Sequence, residues 1–349
     1  MDQKKLKENK DKNNLINLFN KPVYDNEGSQ IPRVIAIVGL SKNAGKTSFL
    51  NWLVQHLNNK RIAVTTTGRD GEDQDLVTGE QKPKVVLPKT CFFSTFDYVT
   101  DNSMHKIEII CKSQYRVIGK NLYIAKTIEP IETEIIGALT NKEQTEIIKA
   151  FKDLSVNIIL IDGSLDRKSI CLSEIITDIV LVVGAAFGTI DEIRSQCHLL
   201  SNYALFDHYP IPDYEYVTYK ESTDLNVVTT DISSIYSKEY IINNIIKKNP
   251  EWIYIPGAIT DVSWVKIKHN VSNYQGKFIL ESPVNFNIKN NELYKLVNEK
   301  TFFTRNVFNL KAIIVNSYSP NNQHLDSDFL RLEIQNIFKN LPVIDITQI

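Results

Sequence analysis

One stretch constrains this chain more than any other. Val34 to Leu53 reads VIAIVGLSKNAGKTSFLNWL: an apolar run, then small and basic residues, then apolar positions at helical spacing. An apolar strand that feeds a loop ending in Gly-Lys-Thr and then an amphipathic helix has the context that a phosphate-binding loop requires. The loop gives up hydrophobic contact because its backbone N–H groups and the first helical turn turn towards an anion. Gly39, Ser41, Lys42, Asn43, Ala44, Gly45, Lys46, Thr47 and Ser48 are the candidate binding residues. Lys46 is expected to neutralise β- and γ-phosphate oxygens, Thr47 to offer its hydroxyl to Mg²⁺, and the small Ala44 and Gly45 to permit close approach. The spacing departs from the strict G-x-x-x-x-G-K-[ST] pattern: five residues separate Gly39 from Gly45, and Leu40 stands where that pattern places glycine.

A magnesium site on such a loop needs an acidic partner at the end of a neighbouring buried strand. NIILIDGSLDRKS supplies one, with Asp162 following four apolar residues and Gly163 allowing the chain to turn. Asp166, Arg167 and Lys168 follow; nucleotide sensing and a solvated charged turn explain them equally well. A third stretch, RIAVTTTGRDGEDQD, leaves a strand with Gly68, Arg69, Asp70, Gly71, Glu72 and Asp73. A polar surface loop would explain these residues, but at the carboxyl end of a central strand they are also placed to face the γ-phosphate, with Asp70 a second candidate for metal and catalysis beside Lys46 and Asp162. KAIIVNSYSP ends in Asn316, which suits either a base reader or a capped strand end.

The wider pattern agrees with an α/β chain. Strands are expected at Val34 to Val38, Arg61 to Thr66, Asn157 to Ile161, Asp178 to Val183, Trp252 to Ile255, Lys277 to Leu280 and Lys311 to Val315. Amphipathic stretches such as NKEQTEIIKAFKDL and DSDFLRLEIQNIFKNL lie between them, which predicts a mainly parallel sheet covered by helices on both faces. Residues 84–137 run as β-prone pieces without a helix and predict an antiparallel β insertion. No linker rich in Gly, Pro or Ser divides the chain, so residues 31–349 are expected to form one P-loop NTPase domain. Residues 1–30 are expected to form a disordered tail, because MDQKKLKENKDKNN offers a core almost nothing.

The formal net charge is -1, from 40 basic and 41 acidic residues, which argues against a chain built to grip nucleic acid through bulk charge. Four cysteines lie far apart and six histidines are scattered, which suggests neither a disulfide framework nor a zinc site. With no apolar leader and no membrane-length run, a cytoplasmic location is expected.

The loop spacing is similar to that of dethiobiotin synthetase, within the wider MinD-like class of P-loop proteins. Taken in order, VGLSKNAGKTSFLN, TTTGRDGEDQD, ILIDGSLDRKS, VVGAAFGTIDE, IYIPGAITD and NSYSP resemble the ATPase subunit of the lysine 5,6-aminomutase reactivase. That resemblance implies a chaperone-like, Mg²⁺-dependent ATPase that works with a MutS-related subunit. Its client would be an adenosylcobalamin-dependent aminomutase, relieved of inactivated cobalamin. It also implies phosphate and metal roles for Lys46 and Thr47, a metal role for Asp162, and a γ-phosphate role for Arg69 with Asp70. A homodimer across the nucleotide is compatible with it, and the choice between ATP and GTP stays open. The alternative is a dethiobiotin synthetase-like ligase or small-molecule kinase, in which Lys42 would sit near the γ-phosphate.

Overall fold

The computed structural model describes residues 3–348 apart from 26, 58, 68, 71–83, 97–104, 118, 139, 165–172, 224–225, 237, 299–300 and 320–323. The chain divides into two compact units, Met1–Arg194 with Leu310–Ile349, and Ser195–Asn309. This corrects the expectation of a single domain over residues 31–349. The seven expected strands form, but Trp252–Ile255 and Lys277–Leu280 belong to a separate sheet. Hydrophobic periodicity marks a strand without stating which sheet will receive it.

The first unit is organised by a nine-stranded sheet. In chain order its strands are β1 (Arg33–Gly39), β2 (Ile62–Thr66), β3 (Phe92–Phe96), β4 (Ile107–Val117), β5 (Lys120–Thr127), β6 (Ile158–Ser164), β7 (Asp178–Gly184), β8 (Leu310–Asn316) and β9 (Val343–Asp345). Their spatial order is β9-β8-β7-β1-β6-β2-β3-β5-β4. The pairings from β9 through to β3 are parallel, while β5 and β4 add antiparallel to that end. The segment expected as a β insertion therefore supplies three strands to the main sheet. Of its other strands, Val85–Leu87 and Ile131–Thr133 pair with each other, and Ile135–Ile136 pairs with Arg69–Asp70.

Every residue of β1 and β7 is buried, as a parallel sheet covered on both faces demands. Alternate residues feed two cores. Ile35, Ile37, Ile158 and Leu160 pack with Phe49, Leu50 and Leu53 of α2 (Lys46–His56). Val34, Ile159 and Ile161 pack on the opposite side with Ile147, Ile148 and Phe151 of α3 (Asn141–Asp153). α3 starts at a capping box: the Thr140 hydroxyl accepts from Glu143 N–H while Glu143 accepts from Thr140 N–H.

The amino-terminal stretch is also corrected. Gln3–Asn20 is helical, and Leu15 and Phe19, one helical turn apart, are each only 1% exposed within the α2-side core. The apolar residues that anchor the helix lie just beyond the polar stretch that suggested a tail.

In the second unit, strands Trp252–Ile255, Lys277–Leu280 and Phe302–Thr304 run parallel. Helices Asp261–Val271 and Asn290–Asn298 separate them in sequence, giving β-α-β crossovers. Thr218–Lys220 and Val227–Thr229 extend this sheet antiparallel, with Val227–Thr229 at its edge. Among the described residues, no helix is long and apolar enough to cross a membrane.

Phe19→Ala should lower the unfolding free energy by about 3–5 kcal/mol, the usual cost of emptying a buried aromatic site. Urea denaturation reads the change directly; a midpoint equal to that of the unaltered protein would mean that the amino-terminal helix carries no tertiary packing.

Candidate functional site

At the carboxyl edge of β1 the chain leaves a fully buried strand. Leu40, the residue in the unexpected position, turns inward: it is buried, and its N–H donates to the Val182 carbonyl at 3.1 Å. The five-residue spacing thus leaves β1 anchored to β7 for one step beyond Gly39. Ser41 Oγ is buried and has no hydrogen-bond partner among the described residues. Asn43 and Gly45 both adopt positive φ, 57° and 101°. Gly45 is the residue at which α2 begins, and no side chain caps the helix there. The first N–H groups of a helix have no intrahelical acceptor, so they are directed at whatever occupies the loop.

Lys46 folds back over that loop. Its Nζ donates to the Ser41 carbonyl at 3.2 Å, and a Cβ added at Gly39 would lie 3.0 Å from its Cδ and Cγ and 3.1 Å from Nζ. Glycine at position 39 therefore leaves the space in which the lysine stem rests. Lys42 and Ser48 are exposed, whereas Thr47, in the first turn of α2, is partly buried.

Asp162 is brought to the same edge. β6 lies directly between β1 and β2, with Asp162 level with Ile37 and Thr66, and Gly163 level with Val38. Ile158 and Leu160 face α2, so the period of two puts Asp162 on the α2 side of the sheet as well. The residue is only 3% exposed. Its carbonyl accepts from Thr67 N–H and Thr66 Oγ1, each at 2.9 Å, which ties the ends of β6 and β2 together. A hydrated Mg²⁺ would take a carboxylate and a hydroxyl as ligands and keep positions for water and phosphate oxygens; Asp162 offers the carboxylate and Thr47, in the first turn of α2, the hydroxyl. Among the described residues no group of three or more His, Cys, Asp or Glu side chains comes together to form an all-protein cage.

Arg69 and Asp70 form a short backbone ladder with Ile135 and Ile136. Ser94 Oγ donates to the Ile136 carbonyl, and Gly137 lies so close to Thr66 that an added Cβ would overlap the Thr66 carbonyl oxygen. The ladder is thereby pinned near the end of β2. The side chains of Arg69 and Asp70 lie outside the described residues, as do Gly68, Gly71 to Asp73 and Asp166 to Lys168.

Asn316 ends β8 and is buried, and its Oδ1 accepts from Tyr318 N–H at 3.1 Å, forming a local turn. Its Nδ2 is 3.1 Å from the position of a Cβ on Gly45. The structure therefore gives Asn316 a contact with the loop itself, which neither sequence alternative anticipated. No family model, curated protein or solved structure matches the chain.

Two further contributors escaped the sequence reading. Gly184, at the end of β7, is so close to the loop that an added Cβ would fall 2.7 Å from Ala44 Cα. Ile346 approaches from the carboxyl terminus, its Cδ1 2.9 Å from a Cβ on Gly45. Asp345 holds that terminus in place by accepting from Thr347 N–H and Oγ1 at 2.7 and 2.6 Å and from Ser327 Oγ. A glycine immediately after a buried strand, in VVGAAF, is a signal for close backbone approach. Nothing local to Ile346 marks it.

Gly184→Ala should displace the Ala44 backbone and cost about 1–3 kcal/mol, the usual range for overpacking. Thermal unfolding measures the loss; an unchanged melting temperature would show that the loop yields without strain.

Proposed function

We infer that the chain binds a magnesium–nucleoside triphosphate at the carboxyl edge of β1 and hydrolyses it. The observation that carries this reading is the position of Lys46, folded over Gly39 beside an uncapped helix start, with Asp162 on the same face of the adjoining strand. That combination supplies amide donors, a mobile countercharge and a carboxylate to one edge. Thr47 and Asp162 would hold the metal, with Asp70 the second acidic candidate; the ion would spread the charge developing on the β- and γ-oxygens. Lys46 would bind and orient the phosphates. Asn316, already against Gly45, would border the nucleotide.

Within this reading, the ordered resemblance of the motifs supports an ATPase of the lysine 5,6-aminomutase reactivase type, in the cytoplasm. It would work with a MutS-related subunit to free an adenosylcobalamin-dependent aminomutase of inactivated cobalamin. The loops after β2 and β6 would be the segments that respond to the γ-phosphate. Slow hydrolysis by the isolated chain, raised by its partner, follows from such coupling.

Lys46→Ala should weaken Mg-ATP binding by roughly 10- to 100-fold or more, since a charged hydrogen bond contributes about 1.5–3 kcal/mol. Isothermal calorimetry measures this, and an unchanged affinity would remove the phosphate-loop assignment. Asp162→Asn should reduce hydrolysis by roughly 10- to 100-fold while affecting nucleotide affinity less. If hydrolysis persists at the original rate, the acidic ligand is elsewhere.

The client is tested by inactivating an aminomutase through turnover and adding this chain, the MutS-related subunit, Mg-ATP and fresh adenosylcobalamin. Activity should return with the unaltered chain and fail to return with Lys46→Ala. Equal recovery with both proteins would overturn an ATP-driven role.

A further inference from the structure

At the opposite end of the same sheet lies a cavity of about 240 Å³. It is bounded by the end of α1 (Gln3–Asn20), the segment that follows it, and the first residues of β1 and β6. β1 is seven residues long, which places roughly 20 Å between this cavity and the loop at Gly39. The two sites share a strand but no lining residue.

The lining combines opposite electrostatic preferences. Lys21, Lys60 and Arg33 line the cavity, and among the described residues no acidic one does. Arg33 is more than nine-tenths buried; it donates through Nη1 to Asp178 at 2.8 Å and through Nη2 to the Lys21 carbonyl at 3.0 Å. Its Nε is buried and has no hydrogen-bond partner among the described residues. A donor in that position calls for an anionic or carbonyl oxygen. Against this, α1 ends at the cavity, and the last carbonyls of a helix carry the negative end of its dipole. Asn20, the final helical residue, also lines the cavity, and its Oδ1 is buried without a hydrogen-bond partner among the described residues. Phe19 and Ile158, both almost fully buried, are among its apolar lining residues.

A simple anion would satisfy the basic side chains and leave Asn20 Oδ1 and the helix end facing negative charge. A simple cation would do the reverse. We propose that the cavity binds a small zwitterion of the α-amino-acid class. Lys21, Lys60 and Arg33 Nε would meet the carboxylate, Asn20 Oδ1 and the last carbonyls of α1 the ammonium, and Phe19 with Ile158 the side chain. The volume is far beyond the roughly 30 Å³ that one water occupies, and it suits a molecule of amino-acid size.

The test uses the full chain without nucleotide, so its outcome is independent of the site at Gly39. The twenty common amino acids are screened singly by thermal shift. The best is then measured by calorimetry beside its deaminated acid and its decarboxylated amine. At least one amino acid should bind, and each truncated relative should bind at least tenfold more weakly. Asn20→Leu removes an acceptor that has no partner and should not lower the melting temperature of the empty protein. Asn20→Leu and Lys60→Gln should each weaken the amino acid at least fivefold and leave Mg-ATP affinity unaltered. The proposal is overturned if no amino acid binds, if the acid or the amine alone binds as well as the zwitterion, or if neither variant changes the affinity.

Discussion

The arrangement at the loop depends on one constraint: β1 is buried along its whole length and must end without a buried polar backbone left unsatisfied. The chain meets it in two ways. Leu40 N–H returns to the Val182 carbonyl, and the next turn runs through positive φ at Asn43 and Gly45 into α2. What remains is a helix start with no side-chain cap and a lysine folded over the loop onto the Ser41 carbonyl. A soluble helix would ordinarily begin with Ser, Thr, Asp or Asn to occupy those amides. α3, which starts at a full capping box, is the contrast within the same unit.

The contacts around this loop come from the ends of three neighbouring strands. Gly184 approaches from β7, Asn316 from β8, and Ile346 from the end of β9. A Cβ at Gly184 would meet the Ala44 backbone, whereas one at Gly45 would meet the ends of the Ile346 and Asn316 side chains. The loop is therefore held by packing from the β7–β8–β9 side, while β6 and β2 close the other side through the Thr66 and Thr67 bonds to the Asp162 carbonyl.

Much of this was legible residue by residue. The run from Val34 to Leu53 announces strand, loop and helix in the right order, and the structure forms them as β1 and α2. The apolar run ending at Asp162 likewise forms β6, and the structure makes it the immediate neighbour of β1. The tail was misread because charge and asparagine dominate its first residues, while Leu15 and Phe19, the two that bury it, come at the end of the helix. The division into two units was also hidden. The chain leaves the first unit near Arg194 and returns at Leu310, and neither point carries the Gly, Pro or Ser enrichment that marks a linker.

By itself the sequence determined what is local: which segments are strands and helices, that a strand must yield to a basic, glycine-bearing turn, and that a carboxylate ends another buried strand. These follow from hydrophobic period and from the conformational limits of individual residues. Only the tertiary structure decided what meets at that turn. Ile346 reaches Gly45 across some three hundred residues, Gly184 reaches Ala44, and Asn20 comes to share a cavity with Lys60 and Ile158. The reason is physical: strand order and the face a side chain occupies are set when sheets and helices bury their apolar sides together, and that choice is written in the sum of the packing rather than in any one segment.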